Sequence, residues 1–202
     1  HSAGVCAPEH IKPSYEEHAA RETVAATGGV LWQRLTSLSD QSYRLAPVHG
    51  DLHGGNVVVR SGQAILIDLA SVAERGPLTT DVAALEVWLA FELPPEEDAR
   101  AYKNKAWTDE IDRLYAPSAF VDAPGPGPAH APYCWMVAAV RQLRQIGLAA
   151  QSCPTEYQTA VAVQLLRRCQ WNDGPAADRY RRAHGFVVAA RLVDDLEARR
   201  IS

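Results

Sequence analysis

Residues 48–59 read VHGDLHGGNVVV, and residues 64–71 read AILIDLAS. The first stretch sets two histidines, an aspartate, three glycines and an asparagine against a β-branched run. Val57–Val59 and Ala64–Ile67 are short apolar runs separated by Arg60, Ser61, Gly62 and Gln63, a spacing that predicts a β-hairpin with a four-residue connection. These are the only strands the sequence predicts. The hairpin would carry Asp68, at the end of its second run, back beside Asn56.

Outward from the hairpin the pattern is helical. Ser14–Ala26 and Val30–Leu38 read as helices broken at Gly28 and Gly29. Thr79, Thr80 and Asp81 can cap a helix whose apolar positions are Val82, Leu85 and Leu89, flanked by Trp88 and stopped by Pro94 and Pro95. Glu96–Tyr115 reads as a polar amphipathic helix, and residues 117–132 as a proline- and glycine-rich loop inside the domain. Tyr133–Ala150, Thr155–Trp171 and Ala176–Arg200 complete the chain as helices, with Leu143, Ile146, Val161, Leu165, Val188, Leu192 and Leu196 as core positions. The expected class is α+β and mostly helical. Residues 1–45 form a helical entry segment to a body spanning 46–202, treated as one domain, 1–202.

Composition narrows the function. The 202 residues are 47% hydrophobic and 22% charged, with a net charge of −4, so the basic stripe that nucleic-acid binding needs is missing. Cys6, Cys134, Cys153 and Cys169 form no C-x-x-C pair, which favours a reducing, cytoplasmic setting over a zinc site or disulfide framework. No apolar run is long enough to cross a membrane. The chain begins with His1 rather than methionine, which raises the expectation of further residues upstream.

Asp51 and Asn56 are five positions apart, the interval between the aspartate and asparagine of the kinase pattern H-R-D-x-x-x-x-N. Four intervening residues let a carboxylate and an amide oxygen stand on two sides of one phosphoryl group, one orienting the nucleophile and the other holding a metal. Asp68 adds the carboxylate, and one carboxylate with one amide is enough for magnesium when a nucleotide supplies the remaining oxygens.

HGDLHGGNVVV followed by ILIDLASVAERGPLTTDVAALE resembles the catalytic half of the aminoglycoside phosphotransferase and choline kinase-like family, over about residues 46–91. The resemblance implies a protein kinase-like carboxy-terminal lobe with a small hairpin after the catalytic loop. It implies Asp51 as the catalytic carboxylate that orients a hydroxyl, His53 as a contact to the transferring phosphoryl group, and Asn56 and Asp68 as magnesium ligands. His49 would pack the loop, and Asp81 would accept hydrogen bonds from loop amides. ATP and Mg2+ are the implied cofactors, and the acceptor a small-molecule hydroxyl, because the 13 positions from Asp68 to Asp81 leave no room for a peptide-binding activation segment. Residues 1–45 hold no counterpart of the family's amino-terminal lobe: their one lysine, Lys12, precedes Pro13. Nucleotide-binding residues are therefore not assigned, and an amino-terminal lobe is expected upstream.

Three other readings compete. A kinase-like lobe can serve as a non-catalytic interaction or regulatory module of a larger protein. His49, Asp51 and His53 alternate and would share one face of an extended strand, where they could hold a transition metal. The loop can also be a turn and nothing more, with Asp81 a helix-start residue favoured by the macrodipole. Glu92, Glu96, Glu97 and Asp98 are an acidic patch able to attract a cationic substrate or a plain solvated helix start. Arg141, Arg144, Arg167, Arg168, Arg181, Arg182, Arg199 and Arg200 read as the polar faces of helices, and Trp107, Trp135 and Trp171 as core or pocket wall.

Overall fold

The computed structural model describes residues 10–12, 14–15, 27–38, 42–92, 105–121, 131–170 and 176–201, and its architecture is α+β and mostly helical. Helix α1 (Gly28–Ser37) begins at the glycines that the sequence pattern placed between two helices, because the Thr27 hydroxyl caps it by accepting the Val30 amide at 3.2 Å. Strands β1 (Leu45–Val48), β2 (Val57–Arg60), β3 (Gln63–Leu66) and β4 (Ala73–Pro77) follow. Five helices complete the described order: α2 (Thr80–Phe91), α3 (Lys105–Leu114), α4 (Cys134–Ala150), α5 (Glu156–Arg168) and α6 (Ala176–Ile201). Most of the helix expected over 14–26, and residues 96–98 and 122–130, lie outside the described residues.

Strands β2 and β3 form the expected hairpin, in the register Val57↔Leu66 to Arg60↔Gln63. A second antiparallel ribbon, β1 with β4, encloses it and corrects the reading that the hairpin holds the only strands. Its sequence signal is weak: both strands contain proline, neither alternates apolar with polar, and the register slips between Ala46 and Val48. The ribbon exists because the hairpin must leave and rejoin the helical body at one place. Among the described residues no helix is long and apolar enough to cross a membrane.

The core lies where α2 packs on α4 and α5, and α5 on α6. Two helices bury a different stripe from the one their apolar residues suggest. On α2 the buried positions are Ala83, Glu86, Val87, Ala90 and Phe91, while Val82, Leu85, Trp88 and Leu89 are only half-buried. On α4 they are Met136, Val137, Val140, Arg144 and Gly147, leaving Leu143 half-buried and Ile146 exposed. One ion pair explains both rotations. Arg144 donates to Glu86 through Nη2 at 2.6 Å and Nε at 3.1 Å, and both side chains are at most 1% exposed. The Tyr157 hydroxyl donates to Glu86 at 2.8 Å, and Arg144 Nη1 donates to the carbonyls of Leu114 and Ala119. The guanidinium also stacks 3.7 Å from the Phe120 ring centroid. Burial, with the Glu86 carboxylate close by, pushes the Tyr157 hydroxyl well above its ordinary range.

Arg168, Arg181 and Arg182 are buried as well, so with Arg144 they are not the solvated faces the sequence suggested. Trp107 sits in the core, its indole N–H donating to Ala90 O at 3.1 Å, whereas Trp135 is 40% exposed. Val161, Leu165, Val188, Leu192 and Leu196 are all buried. Cys134 is exposed and Cys169 buried.

Candidate functional site

The loop between β1 and β2 is braced from below by the start of α2. Asp81, in the first turn of that helix, accepts the amides of His49 at 2.6 Å and Gly50 at 3.0 Å, one on each carboxylate oxygen. A carboxylate there also lies at the positive end of the helix dipole. His49 is buried, and its Nε2 lies 2.8 Å from Ile67 O; a carbonyl only accepts, so Nε2 carries the proton. The ring is thus turned into the fold, away from any face shared with Asp51 and His53.

Two glycines let the loop lie this close to its supports. Gly50 has φ +79°, and a Cβ there would stand 2.4 Å from Ser71 O. A Cβ on Gly54 would stand 2.1 Å from the Trp88 ring. Gly50→Ala is therefore expected to destabilise the protein by about 1–3 kcal/mol, from left-handed strain and a backbone clash together. Thermal melting would show it, and an unchanged midpoint would mean that the loop does not sit as described.

Asn56 closes the loop. Its Nδ2 donates to Asp51 O at 3.0 Å, its amide donates to His53 O at 2.8 Å, and its carbonyl accepts the Ile67 amide at 3.0 Å. Through this last bond the end of the hairpin, and with it Asp68, is set beside the loop. Asp68 is exposed, with φ 56° and ψ 63°, a left-handed conformation that non-glycine residues hold at a cost of about 1–3 kcal/mol. Its carboxylate caps no amide of the following turn, Leu69–Ser71.

Asp51 is half-buried at the mouth of a cleft of about 390 Å³. Leu52 and His53 continue the rim; Ala84, Val87, Trp88 and Glu92 line it from α2 and its end; Gln164, Arg167 and Arg168 line it from α5 and Arg182 from α6. Asn56 and Asp68 stand at the hairpin end and do not line it. His53 lies with Nε2 3.9 Å from Asp51 Oδ2, while its Nδ1 accepts the Gly55 amide at 3.1 Å.

The residue that sequence reasoning missed is Arg167. Its Nη2 donates to Asp51 Oδ1 at 2.9 Å, and its Nη1 lies 3.5 Å from Gly50 O. No local pattern could have found a contact across 116 positions; the one available signal is the basic pair at the carboxy-terminal end of an amphipathic helix. Glu92, expected in an acidic patch, is held by Arg168 at 2.5 Å, so it is neutralised. Asp178 contacts Arg168 at 3.3 Å and Arg182 at 2.5 Å. Burial raises the Asp178 carboxyl above its ordinary range although Arg168 and Arg182 pull it down, and burial lowers Arg168 although Glu92 and Asp178 hold it up.

Among the described residues no cluster of three or more histidine, cysteine, aspartate or glutamate side chains is placed to hold a metal ion. The Asp68 carboxylate and the Asn56 amide oxygen left by the Nδ2 bond are hard oxygens, the donor type that magnesium takes. The family model described as ternary complex associated domain 9 matches residues 13–152, and the chain belongs to that family. No curated protein and no solved structure matches the chain.

Proposed function

We propose that this member of the ternary complex associated domain 9 family is the catalytic lobe, of protein kinase-like form, of an ATP- and magnesium-dependent phosphotransferase acting on a small-molecule hydroxyl. The observation that carries the reading is the hydrogen-bonded unit of Asp51, Asn56 and the end of the hairpin: one loop, braced by Asp81, offers a carboxylate at a cleft and bonds the Asn56 carbonyl to the amide of Ile67, the neighbour of Asp68. The reading rests on these residues and not on the family match, whose description names no chemistry.

Asp51 has the central role. Arg167 occupies Oδ1, which leaves Oδ2 to accept the hydroxyl proton of an acceptor in the cleft and to orient its oxygen. His53, on the same rim, would contact the phosphoryl group that this oxygen attacks. Asn56 Oδ1 and the Asp68 carboxylate are the atoms that would hold magnesium, which supplies charge neutralisation to the phosphates of ATP. His49 and Asp81 keep the loop in shape and touch no reactant.

Asp68→Asn is the direct test. With the backbone conformation kept, magnesium-dependent transfer should fall by at least about 100-fold while the melting temperature stays within a few degrees. Transfer unchanged in this variant would remove Asp68 from the site.

A second reading has its own observation. Val58, Val59, Ile65, Leu66, Ile67, Leu69 and Val72, all on or next to the hairpin, are more than 40% exposed. A two-stranded ribbon with so much apolar surface calls for a cover. In the enzyme reading the cover is an amino-terminal lobe that completes the nucleotide cleft. In the alternative it is a partner protein, as the family's description of association in a ternary complex would suit, and the domain is a non-catalytic interaction module. Magnesium-dependent ATP binding separates the two.

A further inference from the structure

The charge of the cleft beside Asp51 says what kind of molecule it takes. Three guanidinium groups, Arg167, Arg168 and Arg182, line it against two carboxylates, Asp51 and Glu92. Both carboxylates are already matched, Asp51 by Arg167 and Glu92 by Arg168. Arg168 and Arg182 are matched in turn by the buried Asp178, so a polycationic ligand would meet no unmatched anion there and the donors left to a ligand are those of Arg167.

Arg167 has capacity to spare. A guanidinium carries five N–H donors in a planar fork. One bond to Asp51 and one long contact to Gly50 O engage only its Nη atoms, and the side chain, 23% exposed, faces the cleft. Arg168, next to it and 91% buried, has an Nε with no hydrogen-bond partner among the described residues. Trp88 and Val87 supply an apolar wall opposite. An arginine with open donors beside a half-buried carboxylate, in a cleft of about 390 Å³, fits a small ligand that brings its own negative charge.

We propose that the cleft binds an anionic hydroxy compound, one carrying a carboxylate or phosphate group, and that Arg167 is the specificity-determining residue that bridges this anion and Asp51. The identification of the ligand as the phosphate acceptor rests on the reading of Asp51 given above; the anion site itself rests on the cleft alone. Arg167 lies beyond residues 13–152, so the specificity sits in a helix outside the segment matched by the family model.

The test is equilibrium binding by calorimetry to the full-length polypeptide, without nucleotide, so that it does not depend on phosphoryl transfer. Glycerol 3-phosphate and glycerate are the anionic probes and distinguish phosphate from carboxylate. Kanamycin is the cationic comparator. At least one anionic probe should bind saturably, and kanamycin should not compete. Arg167→Gln should weaken that binding about 10- to 100-fold, the worth of a charge-assisted hydrogen bond, and Arg167→Lys should restore part of it. Arg60→Gln, on the exposed hairpin, should leave it unchanged. Kanamycin binding in place of the anions, no binding of either anion, or equal affinity in Arg167→Gln would each overturn the proposal. Anion binding that survives with no phosphoryl transfer under any condition would sink the enzyme reading and leave the anion site standing.

Discussion

Arg144→Met is expected to lower the unfolding free energy by about 3–5 kcal/mol, because it leaves Glu86 without its counter-ion in the centre of the core. For a chain of this size that corresponds to a drop of roughly 6–20 °C in melting temperature. The loss has more than one origin. The carbonyls of Leu114 and Ala119 lose their donor, and the face of Phe120 loses the cation stacked on it. Removing both charges with Glu86→Leu and Arg144→Met should cost less than the two single changes added together, with a coupling of about 1–3 kcal/mol. It should not restore full stability, since Tyr157 then lacks its acceptor. Strict additivity in a double-mutant cycle would contradict the buried pair as the element that sets how α2 faces α4.

Asp51→Asn should reduce phosphoryl transfer by about 100- to 10,000-fold, the range a positioned general base contributes. The amide is nearly isosteric, its oxygen can still accept from Arg167, and the other hydrogen bonds that hold the loop run to Asp81 and from Asn56 to the Asp51 carbonyl. The fold should therefore survive, with melting temperature within a few degrees of the parent. The loss should fall on kcat, because an amide can still meet an acceptor hydroxyl but takes no proton from it. A melting temperature that collapses together with activity would assign Asp51 a structural role, and unchanged transfer would remove it from the chemistry.

How much of this was legible in the sequence differs from element to element. The β2–β3 hairpin was readable because two β-branched runs flank a four-residue connection, a purely local signal. The β1–β4 ribbon was not, since its strands carry proline and are paired by the closure of the chain around the hairpin rather than by pattern. Helix existence followed from periodicity, but the facing of α2 and α4 did not. Hydrophobic pattern alone assigns Glu86 and Arg144 to solvent, and only their contact across 58 positions turns both inward. The same reason hid Arg167. Its pairing with Asp51 joins a loop and a helix that no local rule connects, whereas Asp51, Asn56 and Asp68 announce themselves by spacing within one short stretch.

The loop and hairpin end are proposed to serve a magnesium nucleotide. Calorimetric titration of the full-length polypeptide with ATP, in the presence of magnesium and again with the metal chelated, tests it most directly. Saturable binding that requires magnesium and is lost in Asp68→Asn is the predicted result. No heat with magnesium and ATP, or binding indifferent to both the metal and Asp68, would contradict it.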